Sequence, residues 1–315
     1  MSDDKKEFKP SKYAQSRHDL IMSARQLTPE ELEQVYLPAS LAHVYFPRRD
    51  PKLSIDQPYT HTNGHYTLSV SERGMLNKNT GRKDYFGLPF GPKARIILSV
   101  INAMALQQAS PQIDLNADSL STFLKHIGMT DGGNQIAQAR NQVSRLATAT
   151  ISVQYDNGRI NPETGQGGAT NADINLISGI DFWKKESPDQ LTLWDRNIIL
   201  SEDYWKSLQK HALPLSLEHL RILSGNARAI DVYTFLTYRL HAISKTKPVF
   251  LTWPLLHEMF GGDIARLDHF KERFRQVVGL VKLAYSNANF ELDNRGMTLR
   301  NSPPPITGKD KLLMP

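Results

Sequence analysis

The most regular pattern of apolar and polar positions lies near the C-terminus. From Ile264 to Ala284, Leu267, Phe270, Phe274, Val277, Val278 and Val281 recur at three- and four-residue intervals, which predicts a helix with one apolar stripe. Lys271, Arg275 and Lys282 flank the stripe on one side and Arg266, His269 and Arg273 on the other, with Asp268 and Glu272 between them. Just upstream, Thr252 to Phe260 predicts a shorter helix with Thr252 as N-cap and Pro254 in its first turn. Gly261-Gly262 then predicts a sharp turn with positive φ. Downstream, Asn289 to Arg300 alternates about Asn294-Arg295-Gly296, a hairpin signal. Helix, tight turn, basic helix and hairpin is the order of a winged helix.

The same order is predicted earlier in the chain, in architecture rather than in residues. Ile96, Ile97, Val100, Ile101 and Met104 mark a buried helix, Ile113 to Leu115 a short strand, and Leu120, Phe123, Leu124 and Ile127 a second helix. After Gly132-Gly133, a helix from Asn134 to Thr148 buries Ile136, Ala139, Val143 and Leu146. Ala149 to Tyr155 and Ala172 to Ile177 then predict a hairpin, which serves as the first wing. The later copy opens with a helix from Ala227 to Ile243 and a strand from Val249 to Leu251. Between the copies lie a linking strand, Gln190 to Trp194 with Ile198 to Leu200, and a helix opened by Ser201.

Before Ala94 the pattern is weaker. Ser11 to Arg25 predicts a polar helix, and Thr28-Pro-Glu-Glu carries the capping-box signature of a second. Leu41 to Phe46 and His65 to Ser71 predict strands, while Asp50-Pro51, Asn63-Gly64 and Asn77 to Gly81 carry turn chemistry. The expected fold class is α+β, with tandem winged-helix (helix-turn-helix) domains. The expected limits are a partly disordered N-terminal arm over 1–63, domains over 64–210 and 211–303, and a flexible tail over 304–315.

Composition narrows the function. A chain of 315 residues has room for two modest cores, and its formal charge of +6 favours an acidic partner. With no cysteine, disulfides, thiolate metal sites and Cys nucleophiles are excluded. No apolar run approaches the ~20 residues of a membrane span, so a cytoplasmic protein without membrane contact is expected.

In a helix-turn-helix the second helix enters the major groove. On the Asn134–Thr148 helix the face opposite the apolar one carries Asn134, Gln138, Asn141 and Arg145, side chains suited to base edges; the alternative is a solvated polar face. On the later helix Lys271, Arg273 and Arg275 suit phosphates, with Arg266, His269 and Lys282 beside them; Arg266 and Arg273 have Asp268 and Glu272 as alternative partners. Arg159 and Arg295 are expected at hairpin tips, within reach of an adjoining groove. Enzyme signatures are missing. Neither Gly91-Pro-Lys93 nor Gly165 to Gly168 supplies a phosphate-binding loop, and His61 and His65 are too far apart for the His-hydrophobic-His metal pair of a nicking initiator. His257-Glu258 has no second histidine four residues on. No cofactor or catalysis is expected. Trp183, Trp194, Trp205 and Trp253 stand among apolar residues and are expected to be buried.

A string of segments resembles the plasmid-encoded RepA replication initiators of the theta type. They include Gly87-Leu-Pro-Phe-Gly91, Ser119 to Met129, Gln142-Val-Ser-Arg-Leu146 and Ile151-Ser-Val153. Ser187 to Trp194, Ile199 to Tyr204, Pro214 to Leu217, Ala229 to Arg239, Phe270 to Phe274 and Ser302 to Pro304 continue the series. The resemblance spans residues 64–305. It implies binding to double-stranded DNA at directly repeated origin sites (iterons) and local opening of an A·T-rich segment. It also implies recruitment of a host initiator and replicative helicase, and autorepression by a homodimer at the operator. The alternatives are a winged-helix transcriptional repressor and, disfavoured, a DNA-nicking rolling-circle initiator.

Overall fold

The computed structural model describes residues 12–77, 80–114, 133–160, 167–180 and 197–306. The helix expected over 120–127 and the strand over 190–194 lie outside the described residues, as does the tail from 307. The fold is α+β, and its buried apolar residues form one continuous cluster from Ala24 to Leu299. Among the described residues no helix is long and apolar enough to cross a membrane.

The N-terminal segment is woven into that cluster. After α1 (Lys12–Gln26), β1 (Gln34–Pro38) pairs antiparallel with β11 (Ala212–Ser216), placing Val35 opposite Leu215, both buried. The helix expected after Thr28 is only a turn. Glu31 Oε2 accepts the Thr28 N–H at 2.7 Å, but the chain turns into β1 three residues later, where sheet pairing takes over. The strand expected over Leu41–Phe46 is also absent. Ala39–Ala42 winds as a 3-10 turn, with the Ser40 carbonyl accepting from His43 and Val44 N–H, and the run's apolar side chains stay buried with no partner strand among the described residues. A short apolar run reads alike whether it is strand or buried coil.

β2 (Tyr59–Asn63) and β3 (Tyr66–Glu72) form a hairpin, so pairing crosses the 63/64 position in sequence. A second, smaller hairpin follows, β4 (Met75–Leu76) with β5 (Lys83–Asp84). The helix α2 (Gly91–Gln107) buries Ile96, Ile97, Leu98 and Ile101 at the centre of the molecule. Then come β6 (Gln112–Asp114), α3 (Gly133–Thr148), β7 (Ala149–Ile160), β8 (Gly167–Asn175), β9 (Ile177–Ile180) and β10 (Asn197–Leu200). The helix α4 (Glu202–His211) starts at Ser201, whose side chain caps Tyr204 N–H, and leads into β11.

The remainder is α5 (Leu217–Leu223), α6 (Ala227–Leu240), β12 (Val249–Thr252), α7 (Trp253–Phe260), α8 (Leu267–Ala284), β13 (Phe290–Leu292) and β14 (Gly296–Leu299). These last strands form a sheet in the order β12-β14-β13. In the first half the order β6-β10-β9 repeats that plan: the first strand pairs with the last, and the last with the middle one.

By that equivalence the hairpin expected as a first wing is not the counterpart of β13–β14. By sheet order β9 and β10 correspond to β13 and β14. The expected wing, now β7 and β8, is an insertion that joins β2 and β3 in a separate four-stranded sheet. Leu68, Val70 and Ile151 line that sheet's buried face. The hairpin also runs further out than the hydrophobic pattern indicated, to a pair between Ile160 and Gly167, because Gly, Thr, Asn and Ala leave little strand signature.

A partly buried ionic joint sits between the halves. Arg48, after the 3-10 turn, reaches Asp231 of α6 at 3.2 Å and Asp263 of the α7–α8 turn at 3.0 Å. Arg228 of α6 also pairs with Asp263, and its Nε donates to the Phe260 carbonyl at 2.9 Å.

Candidate nucleic-acid interface

The helix α8 is held by its apolar stripe. Phe270, Phe274, Val277, Val278 and Val281 are buried against α5, α6 and α7, and Asp268 in the first turn complements the helix dipole. The turn before it does not use positive φ as expected: Gly261 sits at φ −106. Glycine is required there by close approach, since a Cβ would stand 2.1 Å from His257 Cδ2 and 2.5 Å from its carbonyl oxygen. His257 Nε2 lies 2.6 Å from the Ile264 carbonyl and closes the same turn, so this histidine is structural.

With its stripe buried, α8 turns cations outward. Arg266, His269, Arg273 and Arg275 are exposed and Lys271 is half-buried. Trp253 organises one flank. It is buried with its ring edge-on to Phe270 and Phe274 and donates to the Asp293 carbonyl at 3.1 Å. Lys271 Nζ lies 5.7 Å from its ring centroid and Arg275 Cζ 5.0 Å, so an aromatic face holds both cations in place. Arg273 has no ion-pair partner among the described residues, and Glu272 is not bound to it.

Other expected residues are more engaged. Arg266 forms a bidentate pair with Asp268, a hydrogen bond that lowers the Asp268 carboxyl to about 2. Lys282 turns to the end of its helix, donating to the Ala288 carbonyl beside the Phe290 ring. Arg295 stands at the β13–β14 turn as expected, beside Asp293 and 5.7 Å from the Phe250 ring centroid. Backbone N–H groups of Arg295 and Gly296 lower the Asp293 carboxyl.

On α3, Ala139, Val143 and Leu146 are buried, while Asn134, Gln138 and Asn141 are exposed on one face. Gln138 Nε2 donates to Asn134 Oδ1 at 2.9 Å, so the two amides form one array. Arg145, at the end of that face, is drawn inward. It donates to Asp50 Oδ2 at 3.0 Å, to the Leu88 carbonyl at 2.9 Å and to Asn141 Oδ1 at 2.8 Å, and lies over Phe90. Gly87 makes room for it: a Cβ there would lie 2.7 Å from Arg145 Nη1. Arg159 lies near the far end of β7, and its side chain is outside the described residues.

One cation of this face escaped sequence reasoning. Lys93, in the first turn of α2, donates to Gln135 Oε1 at 2.7 Å and also to Gln138, and burial lowers its pKa. Its place in Gly91-Pro-Lys93 gave no sign that α3 would pack across it.

The sequence profile of the plasmid-encoded RepA protein family matches residues 88–254, just over half of the chain. The chain belongs to this family. The match runs from the loop beneath Arg145 to the first turn of α7, so α8 lies beyond it. Membership of the RepA family supports a role in plasmid replication. No curated protein matches the sequence. Among solved structures, selenomethionine crystals of domains 2 and 3 of RctB share the fold with a TM-score of 0.53 at 10% identity, over 84% of this chain and 98% of that one. A second structure of RctB domains 2–3 gives a TM-score of 0.50 at 10% identity, covering 82% of this chain and 94% of the other. At such identity the likeness is one of fold.

Proposed function

We propose that the chain is a plasmid replication initiator that binds repeated double-stranded origin sequences through two winged-helix modules and makes or breaks no covalent bond itself. The observation that carries the proposal is the state of α8: its apolar stripe is buried, while Arg273, Arg275 and Lys271 remain outward and unneutralised by carboxylates among the described residues. A helix so arranged beside a three-stranded sheet suits the phosphates lining a major groove. The linked amides of Asn134 and Gln138, with Asn141 further along the same exposed face of α3, suit base edges, since Asn and Gln side chains can bond adenine in bidentate fashion.

Two such helices on one chain address successive groove faces about one helical turn apart. Several copies on repeated sites would bend the duplex, and the deformation favours opening at easily unstacked A·T-rich steps. Recruitment of a host initiator and helicase, and autorepression by a homodimer at the operator, complete the proposal.

The test is a footprint of the purified chain on DNA flanking its gene. Regularly spaced protected repeats are expected, and a plasmid carrying the gene and those repeats should replicate. A single protected operator with no replicon activity would favour a repressor. A covalent tyrosine–DNA adduct formed with Mg²⁺ or Mn²⁺ would overturn the non-catalytic reading.

A further inference from the structure

The hairpin β4–β5 has no role in the account above, yet it combines an unusual set of features. Its two strands form a sheet of their own, with no third strand on either edge among the described residues. Leu76 is 62% exposed, and Tyr85, just past β5, is 44% exposed. Arg82 and Lys83 are exposed, with no ion-pair partner among the described residues. Asp84, the acid beside them, is occupied by Asn77 Nδ2 at 2.8 Å. Exposed cations next to exposed apolar side chains on a narrow two-stranded ribbon suit a polyanion with apolar groove walls.

The described residues of the hairpin are tied by specific hydrogen bonds. Gly81, at φ +66, closes the turn by donating to the Asn77 carbonyl at 2.8 Å, and Asn77 N–H reaches the Arg82 carbonyl at 2.8 Å. At the base Gly74, also at φ +66, makes room for the Tyr85 ring, which a Cβ would approach to 2.8 Å. Glu72 Oε1 accepts N–H bonds from Phe86 and, at 2.8 Å, from Gly87.

That base is fastened to the end of α3. Arg73 N–H donates to the Thr148 carbonyl at 2.9 Å and Arg73 Nη2 to the Ala147 carbonyl at 3.1 Å. Gly87, the other end of the base, touches Arg145. The hairpin therefore springs from the C-terminal turn of the helix whose exposed face carries Asn134, Gln138 and Asn141.

We infer that β4–β5 is a second DNA-contacting arm, in which Arg82 and Lys83 clamp the sugar–phosphate backbone beside the groove that α3 enters and Leu76 lies against the groove wall. This rests on the duplex-binding function proposed above, and its test separates the two. The full chain, R82A/K83A and Leu76→Ser are titrated against a duplex from the DNA flanking the gene and against a scrambled duplex, over a range of salt. Thermal melting confirms that each variant is folded, as expected for exposed positions.

Losing two phosphate contacts should lower the slope of log affinity against log salt by about two. The loss should be similar on both duplexes, whereas Leu76→Ser should weaken binding with the slope unchanged. If the full chain binds and R82A/K83A keeps its slope, the arm is refuted while the function stands. If the full chain binds neither duplex, both fall. If R82A/K83A binds normally and Leu76→Ser instead changes the sedimenting species from two copies to one, the hairpin joins copies of the chain and the DNA assignment is overturned.

Discussion

Arg95 of α2 and Asp231 of α6 meet in a bidentate pair, Nε to Oδ1 at 2.6 Å and Nη2 to Oδ2 at 3.2 Å, with both side chains almost fully buried. Arg95 also donates to the carbonyls of Phe46 and Gly91, at 2.7 and 2.9 Å, so its fork is saturated. The pair joins the central helices of the two halves, and α3 packs on the first while α8 packs on the second. Relative placement of α3 and α8 is thereby fixed through the core.

Removing one member of such a pair leaves a buried charge without compensation. Asp231→Asn should lower stability by about 3–5 kcal/mol, read from the urea midpoint. Arg95→Met, which removes the other charge, should not restore the midpoint in combination, because Arg48 also depends on Asp231. A loss below about 1 kcal/mol for Asp231→Asn would mean that the joint does not hold the halves together.

Acid should loosen the molecule before its carboxylates titrate. Burial holds the His219 imidazole down to about 4, and burial followed by nearby Arg239 does the same to His43. His61 is also lowered to about 4, chiefly by burial with Arg48 adding to it. In the unfolded chain these rings titrate near about 6.5. Between those values the unfolded state binds more protons, so stability is full above about pH 6.5 and declines as pH falls toward 4. Urea midpoints should fall steadily across that window, and His219→Gln should flatten the decline. A midpoint independent of pH there would contradict the burial of these rings as neutral groups.

Strong periodicity made the second half legible. The stripe of Phe270, Phe274, Val277 and Val281 is buried as expected, and Thr252 caps its helix by accepting from Leu255 N–H. What escaped the sequence was non-local. The pairing of β1 with β11 joins residues far apart in the chain, and nothing in Gln34–Pro38 names its partner. The insertion of β7–β8 into a separate sheet depends on where β2 and β3 end up, which no local pattern encodes. At the site, Arg145 was legible as a polar residue on the exposed face of a helix. Its capture by Asp50 and Leu88 depends on a loop packed from outside that helix.

The contrast along α3 is testable. Arg145→Ala should destabilise the fold by about 1–3 kcal/mol through the bonds it leaves unmade, seen in thermal or urea unfolding without DNA. Asn134→Ala or Asn141→Ala should leave folding nearly unchanged and cost about 1–3 kcal/mol on a specific duplex while relaxing base preference. Equal losses for the asparagine variants on specific and scrambled duplexes would remove α3 from base reading.

The central claim is that α8 lies against duplex phosphates. Its most direct measurement is the salt dependence of duplex affinity for the full chain and for Arg273→Ala, which removes an exposed α8 cation that has no ion-pair partner among the described residues. The slope of log affinity against log salt should fall by about one, equally on specific and scrambled duplexes. An unchanged slope, from a full chain that binds the duplex, would place α8 outside the interface and contradict the account.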